Sequence, residues 1–513
     1  MPTVAKNGLR KGESNAKYVQ RCVASTVFGL PLCSTKDIRN FFLGKQVDWR
    51  RAHSIFNDFA RSLLSTEEPA PVEPIRDSAL VNNVCSHFPV KKLRINGETA
   101  DPVSGGKVWT YDNGIKVVYK KLEDIRGRVS YAFSLRGGLT IVPGLQYGEA
   151  SFVADMFDLS VVRRDVPMQE FKSILARQGI TMSQEVTMSD FRICGTAPAA
   201  GLETLFGAIN AVAYQRTPVA DMFDYYCVCE SVRTMRLKDP QADIRTAMEV
   251  LCCPDNMYQT RRDASFIGDD LQTRAEQYFR DRFSNFADGT IVIVGDVEEE
   301  ELKRILENNL GLFRTSRKFS YRKTDNFPLV RDRMTLHEKG EPSVHMLFVS
   351  DELLTTAGIA KMRVTEKVLI PCLNAALRGI GAYAEAEADF RVYPDERIRL
   401  YITAKPLEEE SLPEGIVPAS SETIASTIRS LVDYMDSIDP RRLSDAKMTV
   451  LGDVEVGNSR GGSTVNKVLL RYSEGKDFSK DFAAAVKAVG QKDVLSILEK
   501  FRSGARVEFI FDK

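Results

Sequence analysis

Hydrophobic positions recur with two different periods along this chain, and the change between them divides it. Over residues 14–64 they return every three to four positions, as in Tyr18, Val19, Cys22 and Val23, which predicts helices. Ser34 or Thr35 is placed to cap a second helix, and a third is expected from Trp49 to Leu64. Residues 65–106 then lose periodicity and carry Pro69, Pro71, Pro74, Pro89 and Pro102, the composition of a linker.

From residue 107 the period alternates between two and 3.6, as strands and helices take turns. Residues 108–111 and 115–119 flank Asp112-Asn113-Gly114, and Asn-Gly accepts the positive φ angles of a tight hairpin. Further strands are expected at 129–135, 180–186, 191–196 and 290–294, the last a continuous apolar run closed by Gly295-Asp296. Helices are expected around Ser151, over 201–214 and 221–237, and after the acidic start at 298–301. A second round follows: strands 343–349, 397–404 and 506–511, with helices over 360–377, 421–435, 440–450 and 482–500. The expected fold is therefore α+β, with two successive similar units, each an antiparallel-rich mixed sheet with helices on one face. Their bounds are set at 107–330 and 331–513.

Composition narrows the function only by exclusion. Lysine plus arginine equals aspartate plus glutamate at 70 each, so no global field selects nucleic acid or an anionic surface. No window has the apolar length of a membrane span, and residues 1–17 lack the apolar core of a signal peptide. The nine cysteines are odd in number and scattered, and neither Cys227-x-Cys229 nor Cys252-Cys253 has a zinc or redox spacing. They read as free thiols of a reducing compartment, so a cytoplasmic location is expected for the chain as it stands, and a periplasmic or exported one if its true start lies upstream.

The residues 457–463, Gly-Asn-Ser-Arg-Gly-Gly-Ser, lack the ending of a phosphate loop and a preceding strand, and read as a turn between helices. The acidic runs 298–301 and 408–410 read as solvated faces. Of the four histidines, His53, His87, His337 and His345, no two are three or four residues apart. Only a hairpin at Lys339-Gly340-Glu341-Pro342 offers to bring His337 near His345, and structural roles are expected for both.

Several motifs occur in a telling order: Asn113-Gly114-Ile115, Leu135-Arg136-Gly137-Gly138, a helix with Gly148 and Phe152, Lys238-Asp239-Pro240, and Arg282-Phe283-Ser284-Asn285-Phe286-Ala287-Asp288 before an apolar strand. With them the chain from Trp109 to Lys513 resembles one half of an insulinase/pitrilysin-family protein, the group with the inverted zinc motif His-x-x-Glu-His. The last run is similar to one before the core strand of bacterial two-half members. Residues 14–64, with Tyr18-Val19 and Phe28-Gly29-Leu30-Pro31, resemble the tail of a preceding half.

In working members of that family two histidines and a later glutamate hold zinc, and a glutamate between the histidines activates the metal-bound water. The resemblance lays the first histidine on Ser151, the general base on Ala154, the second histidine on Asp155 and the late glutamate on Glu230. A hydroxyl, a methyl group and one carboxylate replace the motif, so no metal, no cofactor and no catalytic residue are expected. The family's substrate-orienting arginine and tyrosine fall nearest to Arg378 and Tyr383, five residues apart where the family has seven. The residues alone read equally as a helix C-terminus with Gly379 as its stop.

The expectation is an inactive peptidase homologue that pairs with a metal-bearing half, or with copies of itself, to enclose an extended peptide. The alternatives are a stand-alone peptide-binding or scaffold module, and a zinc metallopeptidase with residual activity.

Overall fold

A computed structural model describes residues 91–513 apart from 124–125, 164, 237–242, 260, 316–331, 391, 394–395, 409–410 and 413–414. By its contacts the chain separates into Met1–Leu80 and Val81–Lys513, and the description concerns the second part. The expected helices of 1–64 lie outside the described residues, as does the Lys238-Asp239-Pro240 turn.

The first unit holds a seven-stranded sheet and a small three-stranded one. Its strands are β1 (Ile95–Ala100), β2 (Lys107–Tyr111), β3 (Lys116–Lys121), β4 (Arg128–Arg136), β5 (Ser160–Val162), β6 (Val166–Pro167), β7 (Ser183–Val186), β8 (Asp190–Pro198), β9 (Arg216–Pro218) and β10 (Thr290–Gly295). The large sheet runs β1-β2-β3-β10-β4-β8-β7, and the small one β6-β5-β9. The second unit adds β11 (Arg333–Lys339), β12 (Ser343–Leu353), β13 (Ala382–Asp389), β14 (Arg397–Pro406) and β15 (Arg506–Asp512), in the order β11-β15-β12-β14-β13.

The helices of the first unit are α1 (Ala150–Met156), α2 (Met168–Arg177), α3 (Leu202–Tyr214), α4 (Ala220–Arg236), α5 (Ile244–Cys252), α6 (Leu271–Phe283) and α7 (Glu299–Asn309). Those of the second are α8 (Thr356–Arg378), α9 (Ser421–Tyr434), α10 (Pro440–Asn458), α11 (Gly461–Glu474), α12 (Phe482–Ala488) and α13 (Gln491–Ser503).

The two sheets share one plan. β10 is parallel to β3 and antiparallel to β4, and β15 is likewise parallel to β11 and antiparallel to β12. Each unit thus returns its last strand to the middle of its own sheet, which is why 290–295 is buried at every position and reads as a continuous apolar run. The duplication expected from the sequence is a duplication of topology. It also makes α1 and α8 counterparts, since each follows the second strand of the shared order.

Each sheet carries its own helices on one face, and the other face is covered by a helix from the other unit. Val465, Val468 and Leu469 of α11 pack on Val108, Val118, Ala132, Val292 and Val294 of the first sheet. Met248 and Cys252 of α5 pack on Leu347, Val349, Val507 and Phe509 of the second. A buried polar knot ties α11 down: the Asp190 carboxylate accepts from Ser134 Oγ at 2.5 Å, Ser473 Oγ at 2.6 Å and Arg192 Nε at 2.7 Å.

Two expectations are corrected here. Residues 95–100, read as part of the linker 65–106, form the edge strand β1, paired antiparallel with β2. Five of its six residues are exposed, so it has no apolar face to announce it. The single helix expected over 482–500 is two, α12 and α13, broken at Gly490, whose N–H donates to the Asp493 carboxylate at 2.8 Å.

Candidate functional site

The chain reaches the site from the end of β4. Gly148, just before α1, has φ +79°, and a Cβ there would lie 2.3 Å from the Phe266 ring, so only glycine lets the chain pass. Next to it Glu149 is fully buried and is held by Arg274 of α6 through two bonds of 2.6 and 2.9 Å. Asp270 adds a third contact to the same guanidinium at 2.9 Å. Phe152, Val153 and Met156 then plug α1 into the core. The opposite side of this short helix presents Ser151, Ala154 and Asp155, all half-buried. One helical turn separates Ser151 from Asp155, so they share a face.

Facing them, α4 presents Tyr226 and Glu230, again four residues apart. Tyr226 Oη donates to Asp155 Oδ2 at 2.6 Å. Burial, then the bond to Asp155, push the Tyr226 phenol well above its ordinary range, so it stays a neutral donor. Glu230 is 8% exposed and accepts from Arg233 Nε at 3.1 Å.

The centre of the cluster is a residue with no part in the expected motif, Arg262. Its Nη2 lies 2.5 Å from Asp155 Oδ2, 2.7 Å from Tyr226 Oη and 3.3 Å from Glu230 Oε1. Its Nη1 donates to the Ser151 carbonyl at 2.9 Å, and its guanidinium sits 4.7 Å over the Phe152 ring. Burial pulls the Arg262 pKa down, but the bond and charge of Asp155 outweigh it and leave the group firmly protonated. Ser151 Oγ is bonded locally, to the Gly148 and Arg261 carbonyls at 3.4 Å each.

The structure thus brings Ser151, Asp155 and Glu230 together, with Ala154 beside them. Tyr226 was within reach of sequence reasoning, one turn before Glu230. Arg262 was not, because it lies in an irregular stretch between α5 and α6 with no period to place it. Among the described residues no group of three or more histidine, cysteine, aspartate or glutamate side chains converges as metal ligands.

Arg378 and Tyr383 lie in the second unit. Arg378 is the exposed last residue of α8, capped by Gly379, and Tyr383 is 40% exposed on β13, an edge strand. Neither takes part in the cluster around Arg262. The two histidines do not meet: β15 separates their strands, His337 opposite Ile510 and His345 opposite Phe509.

His345 is instead a structural group, bonded to Ser343 Oγ at 3.2 Å and Thr403 Oγ1 at 3.4 Å. Burial, and secondarily Lys405, lower its pKa to about 4. An unfolded histidine titrates near ~6.5, so the folded state excludes a proton that the unfolded state takes up. The stability this ring contributes is therefore full above about pH 6.5 and is lost as the pH falls towards 4. The His345→Gln variant is expected to show a flatter dependence of its urea midpoint on pH in that window.

The fold with this cluster is that of an M16 peptidase half. The periplasmic protease PqqL from Escherichia coli matches with a TM-score of 0.65 at 15% identity, over 97% of this chain and 58% of that chain. The peptidase M16 inactive domain from Pseudomonas fluorescens matches with a TM-score of 0.58 at 13% identity, over 79% of this chain and 97% of that one. A protease from Helicobacter pylori gives 0.58 at 12% identity, over 81% and 100%. The chain therefore spans little more than half of PqqL, and at these identities the likeness is one of fold. No protein-family model and no curated protein matches the sequence. Among the described residues no helix is long and apolar enough to cross a membrane.

Proposed function

We propose that this chain is a non-catalytic insulinase-family peptidase homologue that pairs with a metal-bearing half to enclose a chamber for extended peptides. The observation that carries the reading is Arg262, a fixed cation bonded to Asp155 at 2.5 Å and lying 3.3 Å from Glu230. Zinc is held by neutral imidazoles, thiolates and free carboxylates. The present donors do not fit it: both carboxylates are engaged by a guanidinium, whose charge repels a second cation, and the remaining side chains are a hydroxyl and a methyl group. Ala154 has no proton-accepting atom with which to activate water.

Pairing is supported by length. The match covers 58% of PqqL, and the remainder of that chain leaves room for a complementary half. The odd number and scattered spacing of the cysteines favour a reducing compartment for this chain, whereas PqqL is a periplasmic protein. Arg378 and Tyr383, whose side chains make no ion pair or hydrogen bond among the described residues, are the groups we assign to the peptide-facing wall.

The test is to mix the purified chain with a His-x-x-Glu-His half encoded beside it and measure hydrolysis of an unstructured peptide. A stable complex with a raised peptidase rate is expected, and the Arg378→Ala, Tyr383→Ala double variant is expected to lower that rate without dissolving the complex. A chain that neither binds such a half nor changes its rate contradicts the reading. A second reading, a stand-alone peptide-binding module, is favoured by the open edge of β13, where an extended peptide can add as a strand. Micromolar binding of unstructured peptides by the isolated chain is its signature.

A further inference from the structure

A cavity of about 250 Å³ opens where α3 and α6 both end, lined by Tyr214, Arg216, Glu276, Arg280, Ser284 and Arg314. Three arginines from three parts of the chain, β9, α6 and the irregular stretch after α7, meet there around one carboxylate. Glu276 is engaged by two of them: Arg216 Nη2 donates to its Oε2, and Arg280 Nε to its Oε1 at 2.9 Å. Arg314 has no carboxylate partner among the described residues, and its guanidinium lies 4.5 Å over the Tyr214 ring. None of these groups belongs to the cluster around Arg262.

The sum of charges decides what this cavity takes. The Arg216 side chain is only 3% exposed, and its Nε and Nη1 find no hydrogen-bond partner among the described residues. It is held 4.6 Å over the Phe157 ring and 5.2 Å over that of Phe279. Burial sets its pKa below the ordinary arginine range; Glu276 resists that fall and the charge of Arg280 adds to it. The C-terminal ends of α3 and α6 bring about half a negative charge each, which with Glu276 makes about two against three guanidinium charges. About one positive charge is left over in a partly enclosed space, where water screens it poorly.

We propose that this cavity binds a phosphoryl group, held by Arg280 and Arg314 in the field of the buried Arg216. Arg314 is preset for that contact: its N–H donates to Tyr214 Oη at 2.8 Å, and its carbonyl accepts from the Phe286 N–H at 2.8 Å. Its backbone is fixed while its exposed side chain keeps a free fork. Arg280, 66% exposed, spends only Nε on Glu276 and keeps both Nη groups. A tetrahedral oxyanion accepts from forks that arrive from different directions, whereas a carboxylate accepts chiefly in its own plane, so phosphate is favoured. The volume falls below that of a site for drug-sized molecules, which points to the free ion or a short monoester. This inference needs no second chain and stands apart from the chamber reading.

Calorimetric titration of the full chain at about pH 7.5 and low ionic strength tests it, with inorganic phosphate and glycerol 3-phosphate as probes and acetate as the carboxylate control. Saturable binding of one equivalent, with a Kd of about a millimolar or tighter, is expected for phosphate. Acetate should bind about tenfold more weakly or worse. A tighter fit of glycerol 3-phosphate assigns the site to a monoester, and its exclusion assigns it to the free ion; both support a phosphoryl site. The Arg280→Ala, Arg314→Ala double variant should lose about a hundredfold in affinity, while Arg304→Ala, an exposed arginine paired with Glu203, should lose nothing. Saturating phosphate should also raise the urea midpoint of the parent and leave that of the double variant unmoved. No saturation, acetate bound as tightly as phosphate, or an affinity unchanged in the double variant would each overturn the proposal.

Discussion

The Arg262→Ala protein is expected to be about 2–3 kcal/mol less stable than the parent, and to become responsive to divalent cations. Removing the guanidinium leaves Asp155 and Glu230 facing each other, the second of them only 8% exposed, with Tyr226 as the remaining donor between the helices among the described residues. Two carboxylates with no cation between them repel, and a hard divalent ion is the simplest replacement. Millimolar Mn²⁺ or Ca²⁺ should therefore raise the urea midpoint of Arg262→Ala while leaving the parent unmoved. Arg262→Lys should fall between, because an ammonium keeps the charge but cannot reach Asp155, Glu230 and the Ser151 carbonyl together. Parent-like stability in Arg262→Ala would show that the cluster does not bind α1 to α4. An equal response of the parent to the cation would show that Arg262 does not close the site.

A larger loss is expected at the root of α1. In Arg274→Ala the carboxylate of Glu149, fully buried, loses both bonds of its guanidinium partner and keeps, among the described residues, only the Gln146 N–H at 2.7 Å. An uncompensated buried charge costs about 3–5 kcal/mol, more than any exposed ion pair of this protein contributes. The urea midpoint of the variant against that of the parent measures the loss. The double variant Arg274→Ala, Glu149→Ala should recover part of the loss, since it removes the orphaned charge.

These two clusters differ in how far the sequence announces them. Ser151, Asp155 and Glu230 could be singled out because the resemblance to the insulinase family lays its metal-ligand positions on them, and helical spacing then sets the first two on one face. Arg262, which decides what the cluster can do, comes from an irregular segment where no period assigns a direction to a side chain. Its partners are 107 and 32 residues away, beyond the reach of any local pattern.

The fold follows the same division. Asn113-Gly114 announced its hairpin because Gly114 adopts φ +89°, and Thr290–Gly295 announced itself by burial on both faces. Edge strand β1 did not, nor did β13, whose Ala-Tyr-Ala-Glu-Ala-Glu alternation puts only alanines on the buried side. The exchange of α5 and α11 between the two sheets is a tertiary choice. Each helix has an apolar stripe, but nothing along the chain says which sheet will receive it.

On the proposed reading, Arg262 occupies the place that a metal would take between Asp155 and Glu230. Metal content of the purified chain, measured together with peptide hydrolysis and with Glu230→Ala as control, tests it most directly. The account predicts no stoichiometric zinc, no hydrolysis by the isolated chain, and no difference between parent and variant in either. One zinc per chain, lost with the activity in Glu230→Ala, would contradict it.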